Sequence, residues 1–431
     1  GAKSGRDFSN ALPADKLQAA LDASGPTNTV WIGSGVYSNL ALQWHGSGAD
    51  LTAMKSLVGV DTGGGMPLLV SDFDRRNPGK TGRTLLTVSS GVSYVRIAQL
   101  RVEGHSTAIR LQGRHHGIRL ESIQVTNARD GFWIDGGAAV DQPETGSSDL
   151  ELRDCSVTRF TKRGFRVLGG NAQVRFIKCR AEAGGKEWAA ENFPIGFHVL
   201  GGENGVVDRD ITFEDCIASG AWHDAGNRYW NGDGFAAERA TRNLTWKGCF
   251  ASENTDGGWD LKTQSATLIN CVSIGNKRNY RFWPSAAPFV VENCVSAYSQ
   301  EHKSGTPAQG AWIKATATVQ MRRCTFWQDG ASIAVEDGSE SEPTLVRLDR
   351  CLLRPTDVGE AVDFSPGVRC DNQGSILAKG GDPEIRLTRP DSTWHGGDDA
   401  FDSISHPGLG YRFALASGSS PGTRVTPDPS E

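Results

Sequence analysis

The chain has 431 residues, 53 of them glycine, with a net charge of −5 and a pI near 6.0. That balance gives no bulk electrostatic reason to bind nucleic acid or an anionic membrane. No apolar run approaches the roughly 20 residues that span a bilayer, so no membrane insertion is expected.

A length of this size suits two or three ordinary domains or one elongated repeat domain. In chain order, PADKLQAALDAS (13–24) places Leu17, Ala20 and Leu21 at helical spacing. Residues 1–27 are therefore expected to form an N-terminal segment whose helix caps the open end of a repeat. TVWIGSGVYS (29–38) reads as the first coil. NPGKTGRT (77–84) lacks the first glycine of a phosphate loop and reads as a polar turn.

Beyond it, short alternating runs end in the same way: VRFIKC, ITFEDC, LTWKGC, ATLINC, FVVENC, VQMRRC and VRLDRC. The alternation has period two, so the units are strands. Glycine and asparagine mark the corners, where left-handed backbone angles are needed. Units recur about every 22–37 residues, a solenoid spacing. The fold class predicted is all-β, a right-handed parallel β-helix over 28–370 with a short N-terminal capping helix. Residues 371–414 are expected to be an irregular extension packing on the β-helix, and 415–431 a flexible tail. No zinc-type CxxC pair occurs, and Cys155, Cys179, Cys216, Cys249, Cys271, Cys294, Cys324 and Cys351 read as small buried hydrophobes of the repeat.

A Gly-aromatic phrase aligns the units: DGFWIDG (130–136), RGFRVLG (163–169), IGFHVLG (195–201), DGFAAER (233–239), GGWDLKT (257–263), NYRFWPS (279–285) and GAWIKAT (310–316). Aligned residues of parallel coils stack about 4.8 Å apart. Phe132, Phe165, Phe197, Phe235, Trp259 and Tyr280 then form an inner column. The next position faces outward and reads Trp133, Arg166, His198, Ala236, Asp260, Arg281, Trp312. A second outward column holds Asp135, Glu238, Lys262, Trp283 and Lys314. Exposed aromatics among charges mark a binding face. Trp133, Arg166, Trp283, Trp312, Lys277, Arg278, Trp230 and Glu238 are the candidate substrate-binding residues. The partner they suit is an acidic polysaccharide, with Trp188, Trp222, Tyr229 and Trp230 as groove walls. Asp233, Asp256 and Asp260 fall near one corner on adjacent coils. Unpaired carboxylates so close repel each other, and a hard cation such as Ca2+ would relieve that.

DGFAAE (233–238), NTDGGWDLK (254–262) and INCVSIGN (269–276) resemble the pectate lyases of polysaccharide lyase family 9, whose pattern is DGFAxK…N-x-DDGWDL…N-C. The close match covers residues 231–281. The resemblance implies a parallel β-helix and a catalytic Ca2+ on four aspartates, with a lysine on a neighbouring coil as Brønsted base. Carried across, Asp233, Asp256 and Asp260 match three metal ligands. Gly257 stands in place of the other, and Arg281 stands where the lysine is expected. The function expected is β-elimination on a uronic-acid polymer, with a cation on the C6 carboxylate and a base at C5. The candidate catalytic residues are Arg281, Lys262 and His198, with Lys277 as a further candidate base. Two other readings stay open: a glycoside hydrolase using the Asp233, Asp256, Asp260 and Glu238 carboxylates, and a non-catalytic polysaccharide-binding β-helix. A secreted or periplasmic location is expected from the presumed substrate alone.

Overall fold

The computed structural model describes residues 5–191, 193–202, 204–223, 230–336, 341, 343–356, 358–377, 404–405, 412–415 and 425–428. The chain folds as a right-handed parallel β-helix and divides into two compact units: residues 1–223 with 237–242, and residues 224–236 with 243–431.

In the first unit a helix, Leu17–Ala23, buries Leu17 and Leu21. The Gln18 side chain ties it to the first coil by donating to the Gln43 carbonyl and accepting from the Gln43 amide, both at 2.9 Å. One face of the unit stacks Thr29–Ile32, Lys55–Gly59, Ser93–Ala98, His116–Glu121, Ser148–Arg153, Ala172–Ile177 and Asp208–Glu214 as parallel strands. A second row stacks Thr107–Gln112, Gln124–Asp135, Ser156–Leu168 and Ile195–Val199. In that row Phe132, Phe165 and Phe197 lie in register and stack face to face, at 5.0 and 4.6 Å between centroids. Burial of each ring contributes roughly 1.5–3 kcal/mol, and stacking about 1 more. A four-residue helix, Gly185–Trp188, interrupts one loop.

The second unit repeats the plan. Ala266–Ile269, Phe289–Glu292, Thr318–Arg322, Thr344–Asp349 and Val368–Gln373 form one row. Gly257–Leu261, Arg278–Phe282, Gln309–Lys314 and Ala331–Glu336 form the other. Coils continue past 370, since Ile376–Leu377 pairs with Leu352–Pro355. Where an irregular extension and tail were expected, Ile404–Ser405, Arg412–Leu415 and Val425–Asp428 form an antiparallel sheet. The remainder of 378–431 lies outside the described residues.

The backbone explains the cysteine motif. The residue before each repeat cysteine is left-handed: Asp154, Lys178, Asp215, Gly248, Asn270, Asn293, Arg323 and Arg350, with φ between 51° and 61°. Each is a coil corner, and the small thiol fills the tight space after it. All eight following cysteines are free and buried, and Cys370 is exposed. The Cys271 thiol, for one, donates to the Ile269 carbonyl at 3.4 Å. Asparagine, aspartate and glycine meet the left-handed requirement cheaply, whereas Lys178, Arg323 and Arg350 meet it at a cost.

Candidate functional site

In the second unit Asp260 pairs in register with Arg281, and Arg281 with Trp312. Strand alternation turns all three away from the aromatic core, where Phe235, Trp259 and Tyr280 stack at 4.9 and 5.2 Å. Asp256 ends the turn before Gly257–Leu261, and Asp233 opens the strand Asp233–Ala237.

The three carboxylates are buried, and two are ion-paired. Arg281 NH1 donates to Asp256 Oδ2 at 2.6 Å and lies 3.5 Å from Asp260 Oδ2. Lys277 Nζ is 3.0 Å from Asp256 Oδ1. Lys262 Nζ is 3.1 Å from Asp260 Oδ2, and the Trp283 indole N–H donates to Asp260 Oδ1 at 2.7 Å. Asp233 instead accepts the Gly257 backbone N–H at 2.7 Å. Burial first, then the charges of Asp260 and Asp256, push its pKa up to about 8, so it holds a proton at neutral pH. Burial opposes ionisation of Asp256 too, but Arg281, Lys277 and Arg278 outweigh it and hold Asp256 below the usual range. Burial pulls Lys277 down, against the pull of Asp256.

Four cations gather around the carboxylates here. Lys262, Lys277, Arg278 and Arg281 surround Asp256 and Asp260, with Glu336 at the rim 3.9 Å from Arg278. The tryptophans support the cations. Arg281 lies over Trp283 and Trp312 at 5.4 and 5.2 Å, Arg278 over Trp312 at 4.9 Å, and the two indoles meet edge to face at 5.0 Å. Trp312 is 3% exposed and Trp230 6%, so neither is the open sugar platform that sequence reasoning expected; Trp283 is half-buried.

Calcium takes six to eight oxygens, and as arranged here the Asp256 and Asp260 oxygens are engaged by cations instead. Asp256 and Asp260 each already have two cationic partners, Arg281 with Lys277 and Arg281 with Lys262. A Cβ at Gly257 would sit 2.8 Å from Asp233 Oδ1, so an aspartate there would require the Asp233 side chain to shift. Among the described residues, no group of three or more His, Cys, Asp or Glu side chains is arranged to hold a metal ion.

The remaining candidates lie in the first unit. Arg110, Trp133, Arg166 and His198 occupy one register column on successive rungs. Both faces of Trp133 are covered, by Arg110 and Arg166 at 4.4 Å each, so this ring is a clamp for guanidinium groups rather than a stacking surface. Trp188 is likewise under Arg75 at 4.4 Å, and Tyr229 lies outside the described residues. Arg163 Nε donates to His198 Nδ1 at 2.8 Å. Arginine donates only, so that lone pair is occupied and the imidazole proton sits on Nε2, 3.6 Å from Glu238 Oε1. Burial drives the His198 pKa to about 3. A neutral imidazole with its lone pair taken has no place for a substrate proton, which argues against His198 as base.

Sequence reasoning did not single out Arg110, Arg163 or Asp130. Arg110 belongs to TAIRLQ, which lacks the Gly-aromatic phrase, although it sits one rung before DGFWIDG. Asp130 is 1% exposed beside Arg129 at 3.0 Å, and burial raises its pKa.

No family model matches the sequence, and no curated protein matches it. Solved structures share the fold at low identity. Pectate lyase Pel9A is 15% identical with a TM-score of 0.53, over 79% of this chain and 76% of that one. The A-module of mannuronan C-5 epimerase AlgE6 from Azotobacter vinelandii is 15% identical with a TM-score of 0.53, over 86% and 96%. The Agl-KA catalytic domain is 8% identical with a TM-score of 0.54, over 84% and 65%. At these identities the likeness establishes the parallel β-helix and not membership of polysaccharide lyase family 9 in particular.

Proposed function

We propose that the protein cleaves a uronate-containing polysaccharide by β-elimination, using its own cations to neutralise the sugar carboxylate. The observation that carries this reading is the gathering of Lys262, Arg278 and Arg281 at a buried acid cluster in which burial and the neighbouring carboxylates favour a proton on Asp233. Parallel β-helix neighbours whose names denote a pectate lyase and a mannuronan epimerase make uronates the natural substrate class.

In the proposed step, Arg281 and Lys262 receive the C6 carboxylate and stabilise the enolate-like charge as the C5–H bond breaks. Lys277 takes the C5 proton. Burial lowers its pKa against the pull of Asp256, so it gives up its own proton more readily than an exposed lysine. Asp233 gives its proton to the departing C4 oxygen as the C4–O bond breaks. The product carries a C4–C5 double bond. No step is routed through calcium, because Asp256 and Asp260 are engaged by cations as arranged here.

A second reading has one specific observation behind it. The environments of Asp233 and Asp256 push their pKa values in opposite directions, which is how an acid and a base of a glycoside hydrolase are set. The discriminating experiment incubates the protein with galacturonate, glucuronate, mannuronate and guluronate polymers, following ultraviolet absorbance and reducing ends together. Absorbance that grows with the reducing ends, and is lost in Lys277→Ala and Arg281→Ala, supports elimination. New reducing ends without absorbance overturn it in favour of hydrolysis.

A further inference from the structure

The outward column of the first unit has a property the catalytic reading does not use. On three successive rungs, one side-chain nitrogen each is buried without a hydrogen-bond partner, Arg110 Nε, Trp133 Nε1 and Arg166 Nε, and on the fourth His198 Nε2 has Glu238 Oε1 at 3.6 Å. All four are donors, His198 by the tautomer that Arg163 imposes. Each unsatisfied group costs about 1–3 kcal/mol, and folded proteins tolerate few of them. A run of them in register is a row of donors waiting for acceptors.

The row carries charge as well. Arg110 and Arg166 lie two rungs apart, about 10 Å, held parallel by the indole between them. Asp135 approaches Arg110 only at 3.6 Å, and the Arg110 side chain is 31% exposed. In an extended 4-linked chain with two-fold character, carboxylates on the same edge recur at every second ring, close to that separation. The covered faces of Trp133 rule out ring stacking, so recognition here reads charge and hydroxyls.

We infer that the first unit bears a binding face for an acidic oligosaccharide, in which Arg110 and Arg166 clasp carboxylates two rings apart and the His198 Nε2–H donates to a sugar oxygen one rung beyond. The choice of uronates as ligand rests on the proposed function; the anion-binding face does not. Glu238, beside His198, is placed to accept from a sugar hydroxyl at the end of the row.

The test is calorimetry on the full chain carrying Asp233→Asn, which holds turnover off from the other unit. The probes are hexamers of galacturonate and of mannuronate, with cellohexaose as the neutral counterpart. At least one acidic hexamer should bind and cellohexaose should not. Arg166→Gln and Arg110→Gln should each weaken binding at least tenfold and flatten its dependence on salt, and His198→Ala should weaken it several-fold. Melting curves accompany each variant. Should Arg166→Gln fail to fold, Arg166→Lys keeps the charge but loses the planar fork, and should still weaken binding several-fold. Binding by no acidic hexamer, equal binding of cellohexaose, or unchanged affinity in a folded Arg110 or Arg166 variant overturns the proposal. If the wild type yields no unsaturated product while these binding results hold, the elimination reading fails and the binding face stands.

Discussion

Asp233→Asn separates the protonation of Asp233 from everything else in the cluster. The buried carboxyl keeps its proton up to about pH 8 in the folded chain, against an ordinary value of 3.8. Between those values the unfolded chain has lost the proton and the folded chain has not. Folding therefore takes up a proton there, and stability falls as pH rises from about 4 to about 8. The slope is about 1.4 kcal/mol per pH unit, or about 3 kcal/mol between pH 5 and pH 7. Asparagine has the shape of the neutral acid and can still accept the Gly257 N–H. It cannot ionise, so this slope disappears. Urea unfolding of both proteins at pH 5, 6 and 7, followed by tryptophan fluorescence, measures the difference in stability. The variant should gain on the wild type by about 3 kcal/mol over that span. Buried Asp329 and Asp208, also raised, contribute to both proteins and cancel. A difference that stays flat with pH would mean that Asp233 is ionised in the folded chain and would remove the proposed acid.

Other expectations follow from the same structure. Phe165→Ala, in the middle of the ring stack, should cost about 3–5 kcal/mol in urea unfolding; a loss below 1 kcal/mol would mean the column is not packed as described. Lys178→Asn relieves an exposed left-handed residue and should stabilise by about 0.5–1 kcal/mol; destabilisation would show that the corner geometry is different. Asp256→Asn leaves Arg281 and Lys277 short of their counter-charge in a buried site and should cost about 3–5 kcal/mol, read by thermal or urea unfolding. Millimolar calcium should leave the melting temperature where chelator leaves it, and calorimetry should show no saturable calcium uptake that depends on Asp256; one equivalent bound and lost in Asp256→Asn would restore the metal.

The β-helix was legible because its constraints are local and repeated. A cysteine after each alternating run, and a glycine before each inner aromatic except Tyr280, can be read from spacing alone. The inner column Phe132–Phe165–Phe197 and the outer succession Asp260–Arg281–Trp312 are paired as alignment of the Gly-aromatic phrase implied. The electrostatics were not legible, because burial and pair geometry have no one-dimensional signature. Lys277, at the edge of the motif, reaches Asp256 only once the preceding turn is placed. Trp133 looks like a sugar platform until Arg110, one rung before it, joins Arg166 in covering the ring. His198 has the textual credentials of a base and loses them to one hydrogen bond from Arg163.

The central claim is elimination on a uronate without a metal, and mass spectrometry of the products tests it most directly. Wild-type protein, digested against the uronate polymers in excess chelator, should release oligomers one water lighter than hydrolysis would give. Oligomers of full hydrolytic mass, or products that form only when calcium is restored, would contradict the account.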